Sequence, residues 1–172
     1  QTVTGSAMVV SGGYFPLLRV KPLLGRIIVP ADDRLGGDPV AVLGYGYWHD
    51  RLGGETSVLN QPLRINGQVF TIVGVTPKGF NGTTFAMEPD TYVPLSFKPR
   101  LTPRWNGTER YDDYWLYLFA RLKPGTTLQQ ATAALNGPYG GLVEEQAKTA
   151  RFRDDTRRKR FLESRLTLKD GR

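Results

Sequence analysis

The sequence predicts an α+β fold, and three observations carry that prediction. Residues 62–75 read Pro-Leu-Arg-Ile-Asn-Gly-Gln-Val-Phe-Thr-Ile-Val-Gly-Val, two strand-like runs joined by Asn66-Gly67. An Asn-Gly loop of two residues favours a type I′ turn, because both central residues take positive φ. After Lys123-Pro124-Gly125, by contrast, Leu128, Ala131, Ala134 and Leu135 recur at a helical period. Finally, 20 Gly and 12 Pro ask for many turns and short elements, which disfavours an all-helical bundle.

In chain order, residues 3–10 read as a strand that ends at Ser11-Gly12-Gly13, and Tyr14-Phe15 starts a short turn or helical piece. Residues 20–30 are apolar and broken by Pro, an extended connection, and Ala31-Asp32-Asp33 is a turn or helix-cap signal. Residues 39–43, Pro-Val-Ala-Val-Leu, read as a short buried strand. Residues 45–52 fit a two-turn helix closed by Gly53-Gly54. The Asn-Gly turn sets the hairpin register: Ile65 opposes Gln68, Arg64 opposes Val69 and Leu63 opposes Phe70. One face then gathers Leu63, Ile65, Phe70 and Ile72, and the other carries Val69, Val73 and Val75, so the hairpin is expected inside a packed domain. A Gly- and Thr-rich loop over residues 77–88 precedes a short strand over residues 90–95.

Residues 97–112 read as a linker, rich in Arg and broken by Pro and Asn106-Gly107. The strongest strand pattern in the chain follows, residues 114–122. It places Leu116, Leu118, Ala120 and Leu122 on one face and Trp115, Tyr117 and Phe119 on the other. Thr126 or Thr127 caps the next helix, which Asn136-Gly137-Pro138 should break or kink. A charged helical stretch spans residues 142–162, in one piece or two, and residues 165–169 read as a last strand. The last third is therefore expected to be β-α-β.

A compact chain of 172 residues buries roughly 70% of the surface its unfolded form exposes. The hydrophobic share of 40% and the charged share of 23% lie near globular norms, so wholesale disorder is disfavoured. With no cysteine, disulfides and thiolate metal sites are excluded. No run approaches the ~20 apolar residues of a membrane span. The first residues lack the pattern of a signal peptide, and a start at Gln1 reads as a fragment of a longer chain.

The residues offer no enzyme. His49 is the lone histidine, so no His pair exists to hold zinc, and its place beside Trp48 suits a structural or surface role. No Gly-x-Ser-x-Gly elbow accompanies it, and no P-loop pattern occurs anywhere. Asp32-Asp33 and Asp112-Asp113 are sequence neighbours whose side chains diverge, an arrangement suited to capping turns. Neither a cofactor nor a metal is expected.

The net charge of +7 is unevenly spread: Lys148, Arg151, Arg153, Arg157, Arg158, Lys159 and Arg160 crowd one segment, interrupted by Asp154 and Asp155. The segment reads first as a solvated, salt-bridged helix face. The functional alternative is a patch for nucleic acid or anionic lipid. Aromatic side chains for base stacking are lacking there, apart from Phe152 and Phe161.

Several stretches, taken in order, resemble the MacB-like periplasmic core domain of FtsX-type ABC transporter permeases. They are Val10-Ser11-Gly12-Gly13-Tyr14-Phe15; Leu24-Gly25-Arg26 followed by Asp32-Asp33; and Pro39-Val40-Ala41-Val42-Leu43. Leu63-Arg64-Ile65-Asn66-Gly67-Gln68 follows, running into Ile72-Val73-Gly74-Val75, then Tyr92-Val93-Pro94-Leu95 and residues 118–125. Tyr45 to Trp48 and Pro77 to Gly82 are most similar to the large duplicated permeases of acidobacteria. The resemblance implies a mostly β inserted subdomain over residues 1–97, a linker over 98–112, and the second half of a porter-like α+β subdomain over 113–172. The first porter half would precede Gln1.

It further implies a non-catalytic, extracytoplasmic (periplasmic) part of a bacterial inner-membrane protein. The partners implied are the transmembrane helices of the same full-length chain and a separate cytoplasmic ATPase subunit, whose hydrolysis would drive export or signalling. Candidate partner contacts are Trp105, Arg157, Arg158, Lys159 and Arg160. An unpaired edge on residues 114–122 would invite strand addition or a homodimer. Two other readings stand beside this one: a nucleic-acid-binding module using residues 148–160, which is disfavoured, and a sugar- or peptide-binding module using Trp48, Trp105 and Trp115.

Overall fold

A computed structural model describes residues 4–84, 87–104, 107 and 115–171. It divides into two compact units, Gln1–Glu109 and Arg110–Arg172. Both helices and a mixed sheet are present, so the α+β class holds.

The first unit is built on six strands: β1 (Ala7–Val10), β2 (Leu24–Gly25), β3 (Val40–Leu43), β4 (Pro62–Ile65), β5 (Gln68–Val75) and β6 (Thr91–Pro94). Their order is β1-β6-β3-β5-β2, with β4 also on β5. β5 runs parallel to β3 and antiparallel to β4 and β2, which pair with successive halves of its length. The hairpin has the expected register, Ile65 with Gln68 through Leu63 with Phe70. Asn66 and Gly67 take φ of 46° and 82°, the left-handed pair that a type I′ turn requires.

One hairpin expectation fails. Val75 lies not with Val69 and Val73 but on the side of Phe70 and Ile72, packed with Leu43 and Trp48. The cause is a register shift against β3: Ala41 pairs with Ile72, whereas Val42 pairs with Gly74. One extra residue inverts the alternation beyond it. Val69, next to the turn, is 45% exposed, so burial on both faces begins only beyond it.

Both faces of the sheet are covered. On one, Val10, Val40, Val42 and Tyr92 meet Ile28 and the short helix α1 (Tyr14–Leu18). On the other, Ala41, Phe70 and Val93 meet Phe97 and Leu101. These last two lie in a 3-10 turn (Leu95–Phe97) and the helix α2 (Lys98–Leu101), so the start of the expected linker is core. The expected helix over 45–52 is a π-helical turn, Tyr47–Arg51, in which the Trp48 carbonyl accepts from both Leu52 and Gly54.

The second unit contains α3 (Leu128–Thr149) and α4 (Asp155–Leu162), which pack on each other. Thr127 caps α3 in a reciprocal box with Gln130. α3 is one continuous helix through Pro138, so of the break or kink expected there the break does not form. Pro138 removes one backbone donor, but Gly137 before it has no Cβ to clash with the ring. The charged stretch is in two pieces, split at residues 150–154 between α3 and α4.

The two strands expected in this unit are not formed among the described residues. Residues 115–123 make no ladder, and Tyr117 and Leu118 stand 81% and 85% exposed. A strand exists only against a partner, and the described residues supply none. Residues 165–169 likewise pair with no strand. There the Asn136 amide takes the partner's place, donating to the Leu166 carbonyl (3.0 Å) and accepting from its N–H (2.8 Å). Tyr114, at the start of the expected strand, lies outside the described residues.

Candidate partner-contact surface

α4 brings Arg157, Arg158, Lys159 and Arg160 together on consecutive exposed positions; Trp105 lies outside the described residues. The helix is locally well specified. The Asp154 carboxylate accepts the Arg157 N–H at 2.8 Å, Asp155 sits in the first turn, and Lys159 and Arg160 sit in the last. The Arg165 guanidinium donates to the carbonyl of Leu162, the last residue of the helix, and to that of Ser164 beyond it. Two of the four cations have local carboxylates, Arg157 with Asp154 at 3.8 Å and Lys159 with Glu163 at 3.9 Å. Both pairs are exposed and long, so they hold the side chains weakly. The rings of Phe152 and Phe161 pack on each other with centroids 5.3 Å apart. That contact occupies the two aromatics that base stacking would need.

Of the tryptophans behind the sugar- or peptide-binding reading, Trp105 lies outside the described residues. Trp48 is buried and its indole N–H donates to the Glu55 carbonyl at 2.9 Å, a core role. A groove of about 600 Å³ runs beside β4 and Ser6, with Tyr47 as its aromatic side chain. His49 is exposed, stacks on Tyr45 and bonds Asp50 at 2.8 Å through Nδ1. Among the described residues no three His, Cys, Asp or Glu side chains converge on a metal position.

The ordered motif residues do structural work whose detail sequence reasoning missed. Asp33 accepts the Gly12 N–H (3.0 Å) and the Ser96 N–H (2.8 Å), tying the ends of β1 and β6 to one loop. A Cβ on Gly12 would lie 2.5 Å from Pro30 Cα, so only glycine fits there. Arg26 grips Asp32 with two nitrogens, at 2.7 and 2.9 Å. Burial pushes the Asp32 pKa up, but the Arg26 and Val29 donors outweigh it and hold the carboxyl below its ordinary value. Tyr14, Phe15, Phe80 and Tyr92 form one aromatic cluster. Burial raises the Tyr14 and Tyr92 pKa values; a Tyr14 bond to Thr83 tempers the first, while Tyr14 and Glu88 push Tyr92 up further. Among the described residues the Tyr92 hydroxyl has no hydrogen-bond partner.

The fold is thus that of an α+β scaffold module whose motif residues lock its loops. The chain belongs to the family of the MacB-like periplasmic core domain, whose model matches residues 1–137. That family is a non-catalytic transporter periplasmic domain. A similar solved structure is the periplasmic region of MacB from Actinobacillus actinomycetemcomitans: TM-score 0.58, 15% identity, 83% of this chain and 59% of that one covered. Another is the extracellular domain of the noncanonic ABC-type transporter YknZ from Gram-positive bacteria: TM-score 0.43, 22% identity, 54% of this chain and 44% of that one. The chain thus spans about half the length of these neighbours. No curated protein matches it.

Proposed function

We propose that this chain is the extracytoplasmic, non-catalytic domain of an ABC-type permease, coupling conformational change to export or signalling through partner contacts. The observation that carries the reading is the family match over residues 1–137. In this reading residues 1–97 are the inserted subdomain, 98–112 the linker, whose first turn α2 packs into the subdomain's core, and 113–172 the second porter half. The first porter half precedes Gln1 in the full-length protein and supplies the strand that residues 115–122 await. The transmembrane helices of the same protein flank the domain, and a separate cytoplasmic ATPase drives it. Tyr45 to Trp48 and Pro77 to Gly82 favour the duplicated acidobacterial type.

The full-length reading frame tests this directly. The reading expects an apolar span of ~20 residues on each side of the domain. Flanks without such spans overturn it. A functional test follows from the absence of cysteine in this chain. Cysteine pairs engineered to cross-link the domain in the full-length protein should abolish export or signalling when oxidised, with recovery on reduction. Unchanged function under full cross-linking overturns the coupling role.

A further inference from the structure

Residues 151–165 hold seven Lys or Arg against three Asp or Glu, a surplus of four positive charges in a chain of net charge +7. All seven cations are exposed. The four on α4 are consecutive, so successive side chains point about 100° apart and fan out over the helix sides that α3 leaves uncovered. Such a fan cannot converge on a single carboxylate or a small ligand. It suits an extended anionic surface. A layer of lipid headgroups is such a surface, since long Arg and Lys side chains reach outward into it. Arg158 and Arg160 have no carboxylate within ion-pair distance among the described residues, so they are available. Nucleic acid fits less well, because the Phe152 and Phe161 rings are engaged with each other.

We propose that α4 and its flanks form a membrane-contact collar that binds anionic phospholipid headgroups at the face of the membrane that anchors the permease. This deepens, and rests on, the permease reading above. Binding of this kind draws on roughly 5-fold in affinity per cation near the surface.

Co-sedimentation of the 172-residue protein with vesicles tests the proposal. Phosphatidylglycerol–phosphatidylethanolamine vesicles should bind it at low salt, phosphatidylcholine vesicles should not, and 1 M salt should release it as the Debye length falls to about 3 Å. The pair Arg158→Ala and Arg160→Ala should weaken binding roughly 30-fold. Alanine favours helix, so circular dichroism should show α4 intact. The control pair Lys21→Ala and Lys123→Ala removes the same charge elsewhere and should keep binding within about 2-fold. No binding to anionic vesicles at low salt overturns the proposal. Equal losses in the two pairs, or duplex DNA held as tightly as the vesicles, also overturn it. Failure of the permease reading has a separate signature: topology reporters in the full-length protein would place the domain in the cytoplasm, whatever the vesicles show.

Discussion

Residues 62–75 and residues 115–122 carry the same apolar alternation, yet only the first becomes a sheet. The hairpin has both of its requirements within the first unit. β4 and β3 satisfy the backbone of β5, the core on one side takes Phe70, Ile72 and Val75, and the core on the other takes Val73. The second stretch has neither: it forms no ladder, and Leu116, Tyr117, Leu118, Phe119 and Leu122 remain exposed. Alternation specifies which face a strand would bury, but a partner decides whether the strand exists.

The largest expected contrast comes from truncating one large apolar residue in each region. Phe70→Ala should cost about 3–5 kcal/mol in urea unfolding, since its ring is fully buried against Phe97. Leu118→Ala should stay within about 0.5 kcal/mol. Comparable losses would show that residues 115–122 are packed and would erase the contrast. Next comes the turn that aligns the hairpin. Gly67→Val forces a β-branched residue to φ of 82° and should cost about 1–2 kcal/mol, with unchanged stability refuting the strained turn.

A smaller effect tests the loop bracing beside the sheet. The folded-state pKa of Asp32 lies below its ordinary 3.8, so the Arg26–Asp32 bridge stabilises fully above that value. Its contribution is lost as pH falls from 3.8 through the folded pKa. Arg26→Ala should remove about 1 kcal/mol at pH 7 and nothing once Asp32 is protonated. A mutant deficit that persists undiminished at low pH would contradict the bridge. Smallest of all, Tyr92→Phe deletes a buried hydroxyl that has no partner among the described residues. Unfolding should show a variant no less stable than the parent, gaining up to about 1 kcal/mol; a clear loss would reveal a hidden bond.

Much of the first unit was legible in the sequence because its signals are local. Asn66-Gly67 dictates both turn and register, and Pro39 to Leu43 announces a buried strand. The fate of Val75 was not legible, because the bulge arises from pairing with β3, some thirty residues earlier in the sequence. Pro138 signals a break or kink through its missing N–H and its clash with the preceding turn. The helix nonetheless continues through it, and Gly137 has no Cβ to add to the crowding. The basic cluster was visible as composition, and its placement on one short exposed helix fits both the solvated-face reading and the contact reading. Asp33 as a double tie was invisible, since its partners Gly12 and Ser96 lie far apart in the chain.

Amide hydrogen exchange on this chain and on the full-length protein tests the central contrast most directly. Strong protection of Phe70 to Val75 is expected in both, with near-intrinsic exchange of residues 116–122 in this chain giving way to protection in the full-length protein. Protection of residues 116–122 in this chain alone, or its absence in both, would contradict it.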